Sequence, residues 1–138
     1  MKEIKHKIRV TYKETDQMGV VYYANYLHWF EIGRTEYLRN LGRSYKNLEE
    51  EGILLPVANV EANYKAPAHY DDLISIFTGV KSLSRTKIEF VYRIHNSKDE
   101  KLLTTGSTVH PFVNHDFKPL SLKKEKPKLW EDISINSD

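Results

Sequence analysis

The stretch Tyr26-Leu27-His28-Trp29-Phe30-Glu31-Ile32-Gly33-Arg34-Thr35-Glu36-Tyr37-Leu38-Arg39-Asn40-Leu41-Gly42 decides the fold. Tyr26, Leu27, Phe30, Gly33, Tyr37, Leu38 and Leu41 recur at three- and four-residue spacing, while His28, Glu31, Arg34, Thr35, Arg39 and Asn40 fill most of the gaps. That period marks an amphipathic helix. Trp29 and Ile32 widen the apolar stripe, so much of the helix is expected to be buried. Gly42 is placed to end it in a left-handed cap, a conformation glycine adopts without strain. No other segment of the chain announces a long helix.

On either side the period is two. Ahead of the helix, Ile4, His6, Ile8, Val10 and Tyr12 share one face and Lys5, Lys7, Arg9, Thr11 and Lys13 the other, the pattern of a half-buried strand. After it, strands return from Ile53 onward. Val60, Ala62 and Tyr64 alternate; Ile74, Ile76 and Val80 alternate with Ser75, Phe77 and Gly79; Ile88, Phe90, Tyr92 and Ile94 alternate with Lys87, Glu89, Val91 and Arg93. A turn around Pro67 and a polar turn at Asn96 to Glu100 separate these runs, and a Thr-rich strand follows from Leu102 to about Val113. Such punctuation suggests antiparallel hairpins. Beyond Asp116 the chain is Lys-rich, and Leu120, Leu122, Leu129 and Trp130 are expected to pack a short element on the body. The order is strand, long helix, four strands. Periodicity alone supports an α+β fold; a curved antiparallel sheet of about five strands wrapped around the helix would supply the apolar surface a lone helix needs.

Composition narrows the class. A chain of 138 residues fits a single domain, residues 1–138. Net charge is +2 with basic residues spread among acidic ones, unlike the concentrated basic face of a nucleic-acid protein. With no cysteine there is no thiol nucleophile, disulfide or thiolate zinc site. Met1 to Val10 is polar at alternate positions, unlike a signal peptide, and no run approaches the ~20 apolar residues of a spanning helix, so a cytoplasmic protein is expected. The six histidines form no H-E-x-x-H or other tight ligand spacing. His69 beside Asp71 and Asp72 reads as a turn, and no metal or cofactor is expected. Ser107 follows Gly106 inside a strand pattern, without a nucleophile elbow.

The chemistry concentrates in Thr15-Asp16-Gln17-Met18-Gly19-Val20-Val21-Tyr22-Tyr23-Ala24-Asn25-Tyr26. A carboxylate stands in a Gly-containing loop just before a helix start, where free N–H groups and the positive end of the helix dipole lie. Such donors can hold a carbonyl oxygen that becomes negative during acyl transfer, and the carboxylate can attack that carbonyl or activate a water. Thioesters suit this equipment, because a thiol of pKa about 8.5 leaves readily as thiolate. By spacing alone, an Asp that caps a turn and aromatics that fill the core account for the pattern better.

Asp16 to Tyr26, continued by Phe30-Glu31 and Arg34-Thr35-Glu36, resembles the 4-hydroxybenzoyl-CoA thioesterase family in its YbgC/FcbC-like branch, whose pattern is D-x-x-G-x-V-[YW]-[YH]-x-N-Y followed by a helix. Ala68-His69-Tyr70-Asp71-Asp72-Leu73 resembles the A-x-Y-D-D segment that enters a central strand of that family. The likeness runs from about Arg9 to Phe112. It implies a hotdog fold, assembly as a homo-oligomer (a dimer of dimers), and hydrolysis of acyl-CoA to free acid and CoA. Carried over by position, Asp16 is the catalytic carboxylate, as nucleophile or general base, and the Tyr23 N–H polarises the thioester carbonyl. Gly19 and Val20 form the loop against the substrate, and Tyr22 and Asn25 shape it. Many members acting on aliphatic acyl-CoAs have His where Tyr23 stands, and the aromatic-acyl enzyme has Tyr. Tyr12 matches an active-site Tyr of some members, with packing an equal alternative. Arg85 matches a basic turn that contacts CoA phosphates, and Lys87 follows it.

Glu31, on the helix, is the second carboxylate to watch, since some hotdog thioesterases use one there. Two alternatives remain. A hotdog enoyl-thioester hydratase would place His five residues after its Asp, where Val21 stands. A non-catalytic acyl-CoA-binding protein would use the same pocket as a sensor; such regulators carry an added DNA-binding helical domain, of which this chain shows none.

Overall fold

The periodic segments occupy the places their spacing assigns in a computed structural model describing residues 1–138. The elements are β1 (Ile4–Arg9), α1 (Asn25–Asn40), α2 (Tyr45–Glu50), β2 (Asn59–Tyr64), β3 (Leu73–Leu83), β4 (Lys87–Asn96), β5 (Leu102–Pro111), α3 (Leu122–Glu125) and α4 (Pro127–Asn136). One antiparallel sheet runs β1-β3-β4-β5-β2. Hairpin neighbours pair directly; β1 reaches β3, and β2 reaches β5, across the sheet.

Helix α1 lies on the inner face of that sheet, against β1, β3 and β4. It buries Tyr26, Trp29, Phe30, Gly33, Tyr37 and Leu38. The sheet answers with the even-numbered residues Ile74, Ile76, Thr78 and Val80 of β3 and Ile88, Phe90, Tyr92 and Ile94 of β4, all fully buried. Each large side chain removed from water in this way contributes about 1.5–3 kcal/mol. Phe30 stacks on Tyr92 with ring centres 4.4 Å apart, and Tyr37 meets Phe90 edge-on at 5.8 Å. The two layers touch at Gly33, where an added Cβ would collide with Thr78 Oγ1 and come within 2.9 Å of Ile76 Cγ2.

The helix ends as its glycine indicates. Gly42 has φ +83, its N–H donates to the Arg39 carbonyl, and the Arg43 N–H donates to the Leu38 carbonyl. Other segments differ from expectation. α2 was not legible, because six residues hold less than two turns of any period; Ser44 starts it by accepting the Asn47 N–H. Ile53 to Leu55 form no strand, only a bridge in which Leu54 and Val113 exchange hydrogen bonds of 2.8 and 3.0 Å. β2 forms as read, yet its burial does not alternate: Val60 and Tyr64 stand exposed and only Ala62 is half-buried, because α1 packs chiefly on β3 and β1 and leaves this edge strand little cover. The short C-terminal element is two helices, α3 and α4, which bury Leu122, Leu129 and Ile133, with Pro127 opening α4. No helix is long and apolar enough to cross a membrane.

Candidate active site

Between β1 and α1 the chain makes a 3-10 turn at Tyr12–Glu14 and then a tight loop. Thr15 and Val21 form a bridge across that loop, the Asp16 N–H donates to the Val20 carbonyl at 2.9 Å, and the Gly19 N–H donates back to the Asp16 carbonyl at 3.0 Å. Gly19 at φ +79 makes the reversal possible; a side chain there would be strained. Asp16 Oδ1 accepts the Met18 N–H at 2.8 Å, while Oδ2 takes no hydrogen bond from the chain. The carboxylate is thus oriented by one oxygen and free at the other.

The loop is pinned from outside by the Ala68–Asp72 turn. Val21 donates to the Ala68 carbonyl at 2.9 Å, Val20 bridges His69, and the Ala68 N–H donates to the Tyr26 hydroxyl at 3.2 Å. His69 serves the turn itself, its N–H on Asp72 Oδ2 at 2.9 Å. Burial pushes the Tyr26 phenol above its ordinary value, so it stays a neutral hydroxyl at this junction.

A cavity of about 310 Å³ opens beside the carboxylate, with Asp16, Val20, Tyr23, Tyr26, Tyr64 and Lys65 in its wall. Three tyrosines give it an aromatic side. Tyr64 stands edge-on to both Tyr23 and Tyr26, at 6.3 and 5.2 Å, and its hydroxyl donates to the Tyr23 carbonyl at 3.1 Å. The backbone N–H groups of Tyr23 and Ala24, the two residues just before α1, donate to no acceptor in the chain. A free carboxylate oxygen, two free N–H donors and an apolar recess therefore share one side of the molecule. That combination can polarise a carbonyl and deliver a nucleophile to it.

The residues expected from sequence divide into two groups. Asp16, Val20 and Tyr23 come together at the cavity, and Gly19 shapes the loop without lining it. Tyr12 does not join them: β1 stops at Arg9, and Tyr12 is 78% exposed, edge-on to Tyr70. Arg85 sits at the tip of the β3–β4 turn, where the Ser84 hydroxyl accepts the Lys87 N–H. β3 runs from Leu73, next to the Ala68–Asp72 turn, to Leu83, and its 11 residues span about 35 Å, so Arg85 and Lys87 lie at the other end of the sheet from Asp16. Glu31 is exposed on α1, 3.8 Å from His28, and lines a different recess with Arg34, Thr35 and Tyr45.

Glu14, at the root of the loop, was not singled out from sequence. Glu14 accepts the Thr11 N–H and hydroxyl on Oε1 at 2.7 and 2.9 Å and the Trp29 indole N–H on Oε2 at 2.8 Å. Its carbonyl accepts the Tyr22 N–H at 2.9 Å and the Asn25 side-chain amide at 2.8 Å. Partial burial alone would raise its pKa, but the Thr11 N–H, the Trp29 indole and the Thr11 hydroxyl together hold it below the ordinary carboxylate value. The capping-box spacing of Thr11 and Glu14 was the signal available in the sequence. Tyr64 and Lys65 were also missed as wall residues, because only the fold carries the end of β2 to the loop.

A curved sheet around one helix, with this loop at the helix start, defines a class. The thioesterase-like superfamily matches residues 10–132, and the chain belongs to that family, whose class is that of the thioester hydrolases. Among its relatives, the chain is 37% identical over 123 residues to a putative acyl-CoA thioesterase, YneP, of Bacillus subtilis (strain 168), covering 89% of each. It is 38% identical over 95 residues to the acyl-CoA thioester hydrolase YbgC of Escherichia coli O6:H1, covering 69% of this chain and 71% of that one. Among solved structures, it is similar to a DHNA-CoA thioesterase from Staphylococcus aureus, with TM-score 0.90 and 36% identity over 96% of this chain and 89% of that one.

Proposed function

We propose that the chain hydrolyses acyl-CoA thioesters to a free acid and CoA, with Asp16 as the reacting carboxylate and the Tyr23 N–H as oxyanion donor. The observation that carries it is the pairing of the unbonded Asp16 Oδ2 with the unbonded Tyr23 N–H at one apolar recess. The acyl group enters the recess and its carbonyl oxygen accepts the Tyr23 N–H. Asp16 attacks the carbonyl carbon, or takes a proton from a water that does so. The tetrahedral oxyanion collapses, the C–S bond breaks, and CoA leaves as thiolate. Where Asp16 is the nucleophile, a second step with water releases the acid from the acyl-aspartate.

The tyrosine wall favours an aromatic acyl group, since flat rings pack edge-to-face on Tyr23, Tyr26 and Tyr64. The Staphylococcus aureus structure, named for DHNA-CoA, supports the same choice. Homo-oligomerisation belongs to the proposal, because Arg85 and Asp16 can serve one CoA molecule only if different copies supply them. A hydratase gains no support: Val21, at the position its His would occupy, is buried and apolar.

The test is CoA release across acyl-CoAs of graded length plus benzoyl- and phenylacetyl-CoA, with Asp16→Asn beside wild type. Turnover by wild type and a loss of at least ~100-fold in Asp16→Asn are expected for a positioned catalytic group. Binding of CoA esters without turnover by either protein would make the chain a binding module. Full activity in Asp16→Asn would remove Asp16 from the mechanism and turn attention to Glu31.

A further inference from the structure

We propose that Glu14 is the positioning residue of this site, fixing the distance between the Asp16 carboxylate and the Tyr23 N–H by tying the loop's two ends to α1. The proposal rests on Asp16 and Tyr23 being the reacting pair. Its basis is geometric. Asp16 leaves the 3-10 turn two residues after Glu14, and the loop returns at Tyr22, whose N–H lands on the Glu14 carbonyl at 2.9 Å. The same carbonyl holds Asn25, the first residue of α1, through its side-chain amide at 2.8 Å. Departure and return of the loop are therefore set by one peptide group.

The side chain then locks that peptide to the helix. Oε2 takes the indole N–H of Trp29, a fully buried residue one turn into α1, at 2.8 Å. Oε1 takes the Thr11 N–H and hydroxyl at the start of the turn. All three side-chain partners are donors, so the site requires an acceptor on both oxygens. Glutamine meets that requirement at one oxygen only; its NH₂ must face either the indole N–H or the Thr11 N–H, donor against donor. Aspartate is one methylene short of spanning Thr11 and Trp29. The Glu14 carboxylate bonds only Thr11 and Trp29 and does not line the recess beside Asp16, so Glu14 acts through the backbone and not on the substrate.

The consequence is specific. Loosening this tie leaves the recess and its acyl contacts in place but lets Asp16 and the Tyr23 N–H drift relative to each other. A misplacement of about 1 Å in such a pair costs up to about 100-fold in rate. Binding depends on the recess and falls little, so kcat carries the loss.

The experiment measures kcat and KM, on whichever acyl-CoA turns over fastest, for wild type, Glu14→Gln, Trp29→Phe and the double variant, with thermal unfolding of each and Asp16→Asn alongside. Glu14→Gln is expected to lose about 10- to 100-fold in kcat with KM within about twofold, and Trp29→Phe a smaller part of it. The double variant should be no slower than Glu14→Gln, because both changes break the same tie. Wild-type kcat in folded Glu14→Gln, whatever its Tm, would reduce Glu14 to a stabilising anchor and overturn the proposal. Losses that multiply in the double variant would overturn it as well. Should Glu14→Gln fail to fold, an unchanged kcat in Trp29→Phe decides against it. Full activity in Asp16→Asn is the separate signature that the reacting pair itself is misassigned, and the positioning role falls with it.

Discussion

His110 shows how far one side chain's state is set by its surroundings. It is fully buried near the end of β5, with Nδ1 3.1 Å from the Leu55 carbonyl and Nε2 2.7 Å from the Thr108 hydroxyl. A carbonyl can only accept, so Nδ1 carries the proton. Nε2 then accepts from Thr108, whose oxygen is free to accept from the Tyr92 hydroxyl at 2.5 Å. Burial, with the nearby Arg34 charge, pushes its pKa down from 6.5 to about 4. In the unfolded chain the imidazole protonates near its ordinary value. As pH falls from about 6.5 to 4 the unfolded state takes up a proton that the folded state refuses, and stability is lost across that window. The full effect is on the order of 3 kcal/mol. Urea melts at pH 7.5 and 4.5 should show a drop in wild type that is clearly smaller in His110→Gln. Parallel drops in the two proteins would assign the acid sensitivity to other groups.

At the scale of elements, the decisive contact is α1 on β3. Phe30 and Tyr37 supply buried area, but the layer spacing is set by Gly33, whose absent side chain lets the helix backbone approach Thr78 and Ile76. A methyl group there has no open space among the Thr78, Ile76 and Tyr92 side chains, so the helix or those side chains must shift. Gly33→Ala is expected to destabilise by about 1–3 kcal/mol, the usual cost of overpacking, and to lower Tm by roughly 5–10 °C. An unchanged Tm would mean that the Thr78 hydroxyl rotates away at no cost. The sequence showed Gly33 on the apolar stripe of α1 without showing why it is glycine. That reason lies on β3, more than forty residues further along the chain.

At the scale of the whole molecule the sheet has two edges of unlike character. β1 carries Lys5, Lys7 and Arg9, charges of the kind that keep an edge from pairing. β2 presents Val60 and Tyr64, 42% and 47% exposed, beside the exposed Val57. An unpaired edge with exposed apolar residues next to it is suited to a second copy. Two β2 strands paired antiparallel about a two-fold axis would reverse one sheet relative to the other. The β3–β4 turn of the partner, and with it a basic residue for CoA phosphates, would then lie at the Asp16 end of this chain. Light scattering should find a dimer or tetramer, and Val60→Lys should shift it towards monomer with loss of affinity for CoA. A monomeric wild type with full activity would rule out the shared site.

What the sequence by itself determined is whatever repeats locally. The helix from Tyr26 to the Gly42 cap, the alternation of β1, β3 and β4, and a Gly-containing loop with Asp16 just before the helix start follow from period and backbone demand, which act over a few residues; that Asp16 and Tyr23 carry chemistry there is what the family resemblance implied. Tertiary structure decided the rest. It set the strand order, left the face of β2 bare, and delivered Tyr64 and Lys65 to the recess. It turned Tyr12 out to solvent and separated Arg85 from Asp16 by the length of β3. It also made Glu14, an ordinary capping residue by spacing, the point where turn, loop and helix meet. The physical reason is that burial and hydrogen-bond partners are properties of elements brought together across long chain separations, and no local pattern records them.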